Sequence, residues 1–347
     1  MNLLDLTPDE AHSAVSKWIE DRGDPAYRAR QVFPRLWQRP IAAWRDTTDL
    51  PRTLVQSLEH DFPLLRPTLE TLQESADGTV KFLWRFDEKT AVESVLIPDR
   101  KRRTLCISSQ AGCAYGCVFC ATGAMGFQRH LLPWEITAQV RELQLDQRFG
   151  APTHVVFMGM GEPLHNWTAV DRALTILNHE EGIGIGARRI AVSTIGIVPN
   201  LRRLAARSEQ FKVALSLHSP TSHGRSRLMP VERKYPLSEV LDAIRAFRKR
   251  VTFEYVMIKG MNDSEADARD LAQIARDAGA LVNLLPMHPG GAPGLEPSPN
   301  DVIKHFAGLL RSLGANVTIR RSRGLDISGA CGQLRVDTSL RGNVESE

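Results

Sequence analysis

The chain has 347 residues, 42% of them hydrophobic, which is ample for one large domain plus a small one. No stretch approaches the roughly 20 apolar residues that span a bilayer, and the opening MNLLDLTPDEAH, with neither a basic n-region nor a long apolar run, does not read as a signal peptide; the expected address is cytoplasmic. The net charge of +4 is uneven, with 12 basic against 15 acidic residues over 1–90 and 32 against 25 over 91–347, and short basic runs such as Arg100-Lys101-Arg102-Arg103 and Arg320-Arg321 with Arg323 fit either a solvated face or a polyanion such as RNA.

Residues 1–85 read as a small helical domain. Thr7-Pro8-Asp9-Glu10 is a capping box with proline at the first helical position, and Val15, Trp18 and Ile19 follow at helical spacing. Val32, Phe33, Leu36 and Trp37 predict a second helix, and Leu54, Val55 and Leu58 a third. Phe62-Pro63-Leu64-Leu65-Arg66-Pro67 breaks the pattern. Residues 80–86 and 91–97 then read as two strands around a turn at Asp87-Glu88-Lys89.

From about residue 103 the rhythm changes, and residues 86–340 read as one α/β domain. Strands are predicted at 103–109, 154–159, 189–196, 211–218, 251–258 and 281–288, with a last one at 316–322. Helices are predicted to begin near Pro133, Asn166, Val198, Pro236, Ser264 and Ser298. Six strand–helix units demand a parallel sheet with right-handed crossovers, and six are too few for a closed eight-fold barrel. The expectation is a partial (β/α)6 barrel. Ligands of such sheets sit at the carboxyl ends of the strands, where the conspicuous polar residues fall.

Four of the five cysteines lie in CISSQAGCAYGCVFC, residues 106–120. In the cytoplasm thiols stay reduced, so a disulfide set fits poorly. Cys113, Cys117 and Cys120 form C-x3-C-x2-C in a glycine-bearing loop. A structural zinc ion would need a fourth ligand, for which His130 is available but without finger spacing. A cubane iron–sulfur cluster held by three thiolates would keep one iron open to a small molecule. Cys106 within a strand reads alone as a packed core residue; Cys331, between Gly329-Ala330 and Gly332, reads as an exposed, adaptable thiol.

C-x3-C-x2-C after the first strand of a β/α repeat resembles the signature of the radical S-adenosylmethionine (SAM) superfamily. The resemblance sharpens over VESVLIP (92–98), TLCISSQAGC (104–113), FCATGAMGFQRHL (119–131), GMGEPLHN (159–166), VSTIGIVP (192–199), SLHSPT (216–221) and RSRGLDISGACGQL (321–334), which together are similar to the RlmN/Cfr family of RNA adenine methyltransferases. The resemblance implies a [4Fe-4S] cluster on Cys113, Cys117 and Cys120, with two SAM molecules used per turnover. It implies that Cys331 takes a methyl group on its sulfur, that a radical from the second SAM removes a hydrogen from that methyl, and that the methylene adds to adenine. Glu93 then matches the base that removes the ring proton, and Cys106 the thiol that forms a disulfide with Cys331 to release product.

Gly161 and Glu162 match the segment that binds the SAM amino group, and Ser193, Ser216, Leu217 and His218 match other SAM contacts. His288 with Pro289 stands where relatives commonly have Asn-Pro, at a SAM contact. His130 replaces a usual Asn. Taken alone, His218 reads equally well as a core histidine, Glu93 as a surface carboxylate and Asn283 as structural. The implied partners are 23S ribosomal RNA and certain transfer RNAs, with an electron donor such as flavodoxin or ferredoxin, and the chain acts as a monomer. Carbon-2 of adenine is the implied target. The alternatives are Cfr-type methylation of carbon-8, linked to ribosomal antibiotic resistance, and a zinc-stabilised RNA-binding protein without catalysis.

Overall fold

The structure, a computed structural model, describes residues 1–336 apart from Gln147, 248–250, 289–293 and Arg335. Pro289 and the far end of the 86–340 region lie outside the described residues. The strands in chain order are β1 (Thr68–Glu74), β2 (Val80–Arg85), β3 (Ala91–Asp99), β4 (Arg102–Cys106), β5 (Gln110–Gly112), β6 (Phe127–His130), β7 (His154–Phe157), β8 (Ile190–Thr194), β9 (Lys212–Ser216), β10 (Thr252–Met257), β11 (Leu281–Pro286) and β12 (Asn316–Ile319). Ten of them form one sheet in the order β1-β2-β3-β4-β7-β8-β9-β10-β11-β12, and β5 pairs with β6 in a separate ribbon.

From β4 onward the neighbours are parallel, each reached through a helical crossover, while β1 to β4 are antiparallel. This is the expected partial barrel: β1 and β12 are its two open edges. The crossover helices begin close to the predicted positions. Pro133–Leu145, Val198–Ala205 and Glu265–Asp277 open as read, the last with Ser264 and Asp267 in a reciprocal capping box. The sixth starts at Asn300, since Ser298 donates its hydroxyl to Asp263 Oδ2 (2.7 Å) instead of capping a helix.

Most of the parallel strands end two or three residues before their predicted limits. The apolar run continues, but the chain leaves the ladder at the carboxyl end and turns over the barrel mouth. β1 was not anticipated. TLETLQE carries little apolar alternation, and the strand survives as a largely exposed edge by pairing with β2. The boundary drawn at 85/86 therefore falls inside the β2–β3 hairpin, and the helical segment itself ends at Asp61.

The helices Pro8–Asp21, Tyr27–Val32 and Arg52–Asp61 surround a core of their own, centred on Val15, Trp37, Trp44 and Leu58. Trp134, Ala138 and Ile176 from two barrel helices complete it, so this core is shared with the barrel wall. A buried cation ties the seam. Arg141, on the barrel helix Pro133–Leu145, donates Nε to Leu36 O (2.9 Å) and Nη2 to Ile41 O (2.6 Å). Among the described residues no helix is long and apolar enough to cross a membrane. An orphaned buried carbonyl costs about 1–3 kcal/mol. Arg141→Met is therefore expected to lower the unfolding free energy by about 2–4 kcal/mol, read as an earlier urea midpoint.

Candidate active site

The β5–β6 ribbon frames the cysteine loop. Cys113 follows β5 directly, and its N–H donates to Gly126 O (2.9 Å) just before β6. Gly112 has φ +73°, and a Cβ there would lie 1.9 Å from Gly126 O, so only glycine lets the two rails close. Cys120 N–H donates to Cys117 O (3.1 Å), and Val118 N–H to Leu228 O (3.0 Å) on a neighbouring helix. Cys113, Cys117 and Cys120 all line one cavity at the carboxyl ends of the strands.

Burial pushes the Cys113 thiol up to about 12 and raises that of Cys117. Converting such thiols to thiolates takes a metal core that gains more from them than burial costs. Among the described residues no three His, Cys, Asp or Glu side chains converge so as to hold a single metal ion. A cubane presents separate iron corners and suits thiols spread around one cavity. His130, the candidate fourth zinc ligand, is engaged elsewhere: its Nδ1 accepts from Gln110 Nε2 (2.9 Å) and its ring meets those of Phe127 and His165.

The opposite wall is the turn after β7. Gly161 has φ +93°, and a Cβ on it would lie 2.4 Å from Gln110 Cβ. Gln110 in turn accepts Glu162 N–H at Oε1 (2.7 Å), which fixes the turn. The Glu162 carboxylate points largely into the protein, accepting from Thr194 Oγ1 (2.7 Å), Ile195 N–H (2.9 Å) and Leu164 N–H (3.0 Å). Burial pushes it up to about 7 against those three donors. Glu162 thus braces β7 to β8 and offers a ligand little more than one side of Oε2 and the backbone of the turn.

Ser193 and Ser216, at the ends of β8 and β9, face the same cavity with their hydroxyls 3.5 Å apart. Leu217 does not line it; the side chain is fully buried in the core and its N–H donates to Glu254 O (3.1 Å). His218 does line it, in a left-handed conformation at φ +55°. Its Nδ1 accepts Val256 N–H (3.0 Å), which leaves the ring proton on Nε2. Burial, and then Arg225, pushes this histidine down to about 3. Asn262 holds the strained backbone by donating to His218 O (2.8 Å) and Val256 O (2.6 Å). His288 stands on the wall between this cavity and a second one and pairs through Nε2 with Ser322 Oγ.

The second cavity runs through the barrel interior, and Cys106 lines it. Cys331 lines both. It is accessible to water yet enclosed by protein, because it faces the cavities; burial pushes its thiol up while Arg320 draws it down. The Cys106 thiol, more deeply buried, is pushed up to about 12. Two hydrogen bonds tie the Cys331 loop to the cysteine loop: Ala121 N–H donates to Gly332 O (2.8 Å) and Thr122 Oγ1 to Leu334 O (2.6 Å). The β1–β2 turn holds the same loop from its other side, through Gly324 N–H to Asp77 Oδ2 (3.0 Å) and Ser75 Oγ to Asp326 Oδ1 (2.6 Å).

Glu93 lies in neither cavity wall. Val95 sits opposite Cys106 in the β3–β4 ladder, so Glu93, two residues earlier, shares the Cys106 face of the sheet. It is buried, with Lys81 Nζ 3.0 Å from its carboxylate. The surface reading of Glu93 is therefore overturned.

Comparison with known proteins decides the family. The Radical SAM superfamily model matches residues 107–272. A "probable dual-specificity RNA methyltransferase RlmN" of Gemmatimonas aurantiaca is 53% identical, over 97% of this chain and 93% of that protein. The "dual-specificity RNA methyltransferase RlmN" of Solidesulfovibrio magneticus is 40% identical over 100% and 99%. The crystal structure of a radical SAM methyltransferase from Sphaerobacter thermophilus superposes with a TM-score of 0.89 at 42% identity, covering 96% of this chain and 99% of that one.

The chain belongs to the RlmN family.

It is thus a radical SAM enzyme, and its family implies an iron–sulfur cluster and SAM. Within this RlmN-family fold, several site residues escape a reading of the sequence. Gln110 and Asn262 act on backbone, Lys81 on Glu93, and Arg320 on the thiol pair from inside a basic run that reads as surface. The alternation of β12 could have flagged Arg320, but four residues are too few to fix a register.

The His218 environment has a pH signature. Its folded value lies near 3 against an ordinary 6.5, so the stability it confers is complete above 6.5 and is lost as pH falls toward 3. The loss is about 1.4 kcal/mol per pH unit inside that window. His218→Gln is expected to flatten the pH dependence of urea unfolding between pH 6.5 and 4 by that slope.

Proposed function

We propose that this RlmN-family enzyme methylates carbon-2 of an adenine in 23S ribosomal RNA and of the adenine 3′ to the anticodon in some transfer RNAs, through an S-methylcysteine at Cys331. The names of its relatives support RNA as substrate, and an RNA substrate supports the cytoplasm as the address. The observation that carries the reading is the position of Cys331, shared between the cavity of the three cluster thiols and the cavity of Cys106.

Carbon-2 of adenine is electron-poor and is no nucleophile, so direct methyl transfer from SAM fails there and a carbon radical is needed. Cys113, Cys117 and Cys120 would hold a [4Fe-4S] cluster, which would supply one-electron reduction of SAM and so the hydrogen-abstracting power the reaction needs. The chain's own residues do the rest. The Gly161–Glu162 turn, Ser193, Ser216 and the Nε2–H of His218 supply polar contacts on one wall of the cofactor cavity. His288 stands where relatives commonly have Asn, and its Nε2 is engaged by Ser322. In this reading His288 shapes the wall and Ser322 sets its orientation.

Cys331 accepts the methyl group on sulfur and carries it to the base. Glu93 takes the ring proton, with Lys81 Nζ 3.0 Å from its carboxylate to hold it in place. Cys106 closes the cycle by bonding to the Cys331 sulfur. A buried base edge cannot meet Cys331, so the target adenine is presented unstacked or flipped. The basic surplus beyond residue 90 suits the RNA backbone. A one-electron donor such as flavodoxin or ferredoxin serves the cluster.

The test is a reconstituted assay without oxygen, with SAM and reductant, on ribosomal and transfer RNA fragments, followed by nucleoside mass analysis. The expected product is 2-methyladenosine; 8-methyladenosine instead, or no methylated adenosine, overturns the reading. Cys331→Ala is expected to abolish product and leave the visible absorption of the cluster intact. Cys113→Ala is expected to lose both.

A further inference from the structure

Arg320 follows β12 and extends its ladder, donating its N–H to Leu284 O (2.9 Å) on β11. The side chain turns into the barrel and lines the second cavity with Cys106, Cys331 and Glu254. Among the described residues it makes no ion pair within 4.0 Å, and its side-chain contact is the Met158 sulfur at 4.0 Å from Nη1. A guanidinium held in a protein interior without a touching carboxylate is costly. Glu254, a carboxylate of the same cavity, accepts from Asn283 Nδ2 (2.8 Å), and burial raises its proton affinity while Arg320 lowers it. Further out in the cavity stand Asp99, Arg102, Lys212, Arg321 and Arg323, with His288 at its inner end. The groups of this cavity whose negative charge Arg320 answers are Cys331, Glu254 and Cys106, and of these the two thiols are the ones the reaction uses.

We infer that Arg320 is the counter-charge of the Cys106 thiolate in the product-releasing step, a positioning role that rests on the reaction proposed above. In that step the Cys106 thiolate gives an electron pair to the Cys331 sulfur, and a sulfur–sulfur bond forms. The bond from that sulfur to the methylene on the base breaks. Its electron pair stays on the carbon, which takes up a proton and becomes the methyl group. The two thiols are oxidised to a disulfide while the methylene is reduced. Burial opposes the thiolate on which this depends, and Arg320 opposes burial.

The experiment uses the reconstituted full-length enzyme with an RNA fragment. Without a Cys106 thiolate the base stays joined to Cys331, so protein–RNA adduct is the readout. Arg320→Met is expected to keep the cluster absorption, to slow release of methylated RNA by about tenfold or more, and to accumulate adduct that Cys331→Ala abolishes. Raising the pH from 7 to 9 is expected to recover release in Arg320→Met by about tenfold per unit, since the thiolate fraction rises by that factor below its pKa. Arg320→Lys, which keeps a cation, is expected to restore most of the release at pH 7. Release at the wild-type rate in Arg320→Met overturns the inference. So does slow release without adduct and without pH recovery, provided Cys106→Ala forms adduct in the same assay. Absence of adduct in Cys106→Ala overturns the underlying reaction scheme, and the role of Arg320 with it.

Discussion

A backbone hydrogen bond between Ala121 and Gly332, reinforced by Thr122 Oγ1 on Leu334 O across a separation of 212 residues, closes the cysteine loop against the Cys331 loop. Neither loop has a regular framework to hold it in place. The cysteine loop hangs from a ribbon of two very short strands, and the Cys331 loop trails from the edge strand β12. Their mutual contact, together with the Asp77 and Asp326 bonds to the β1–β2 turn, converts two irregular segments into facing walls. The spacing between the Cys113, Cys117 and Cys120 thiols and the Cys331 sulfur depends on that closure.

Burial holds back ionisation at several groups of the interior shaped by these walls. His218 is held neutral, Glu162 is hydrogen-bonded three times before any ligand arrives, and the Cys106 thiol is pushed up to about 12. Reactive carbon species survive longest where few polar groups and little water can quench them. The same dryness works against thiolates, and the guanidinium of Arg320 answers it on the Cys106 side.

Much of the architecture was legible in the sequence because parallel strands and amphipathic helices leave strong periodic signals. The helix starts at Pro133, Val198 and Ser264 were readable from proline and capping chemistry. β1 was not, since an edge strand needs no apolar face, and β5 and β6 are too short to show a period. For the site, the resemblance named candidate residues, of which Cys113, Cys117, Cys120 and Cys331 meet at one cavity, while orientation was not legible. Leu217 turns away from the cavity and Glu93 is paired with Lys81, and both depend on which face of a strand the register selects. Arg320 was hidden for the opposite reason: three arginines within four residues look like surface, and only the inward turn of one distinguishes it.

The Cys331 loop follows every other site residue along the chain, and it is latched to the N-terminal side of the sheet through Ser75 and Asp77. Translation therefore delivers the Cys331 sulfur last. A nascent barrel can mature its metal-binding loop and its cofactor walls before that sulfur leaves the ribosome. An enzyme put together in that order lacks its last cavity wall while it is still attached to the particle that is making it.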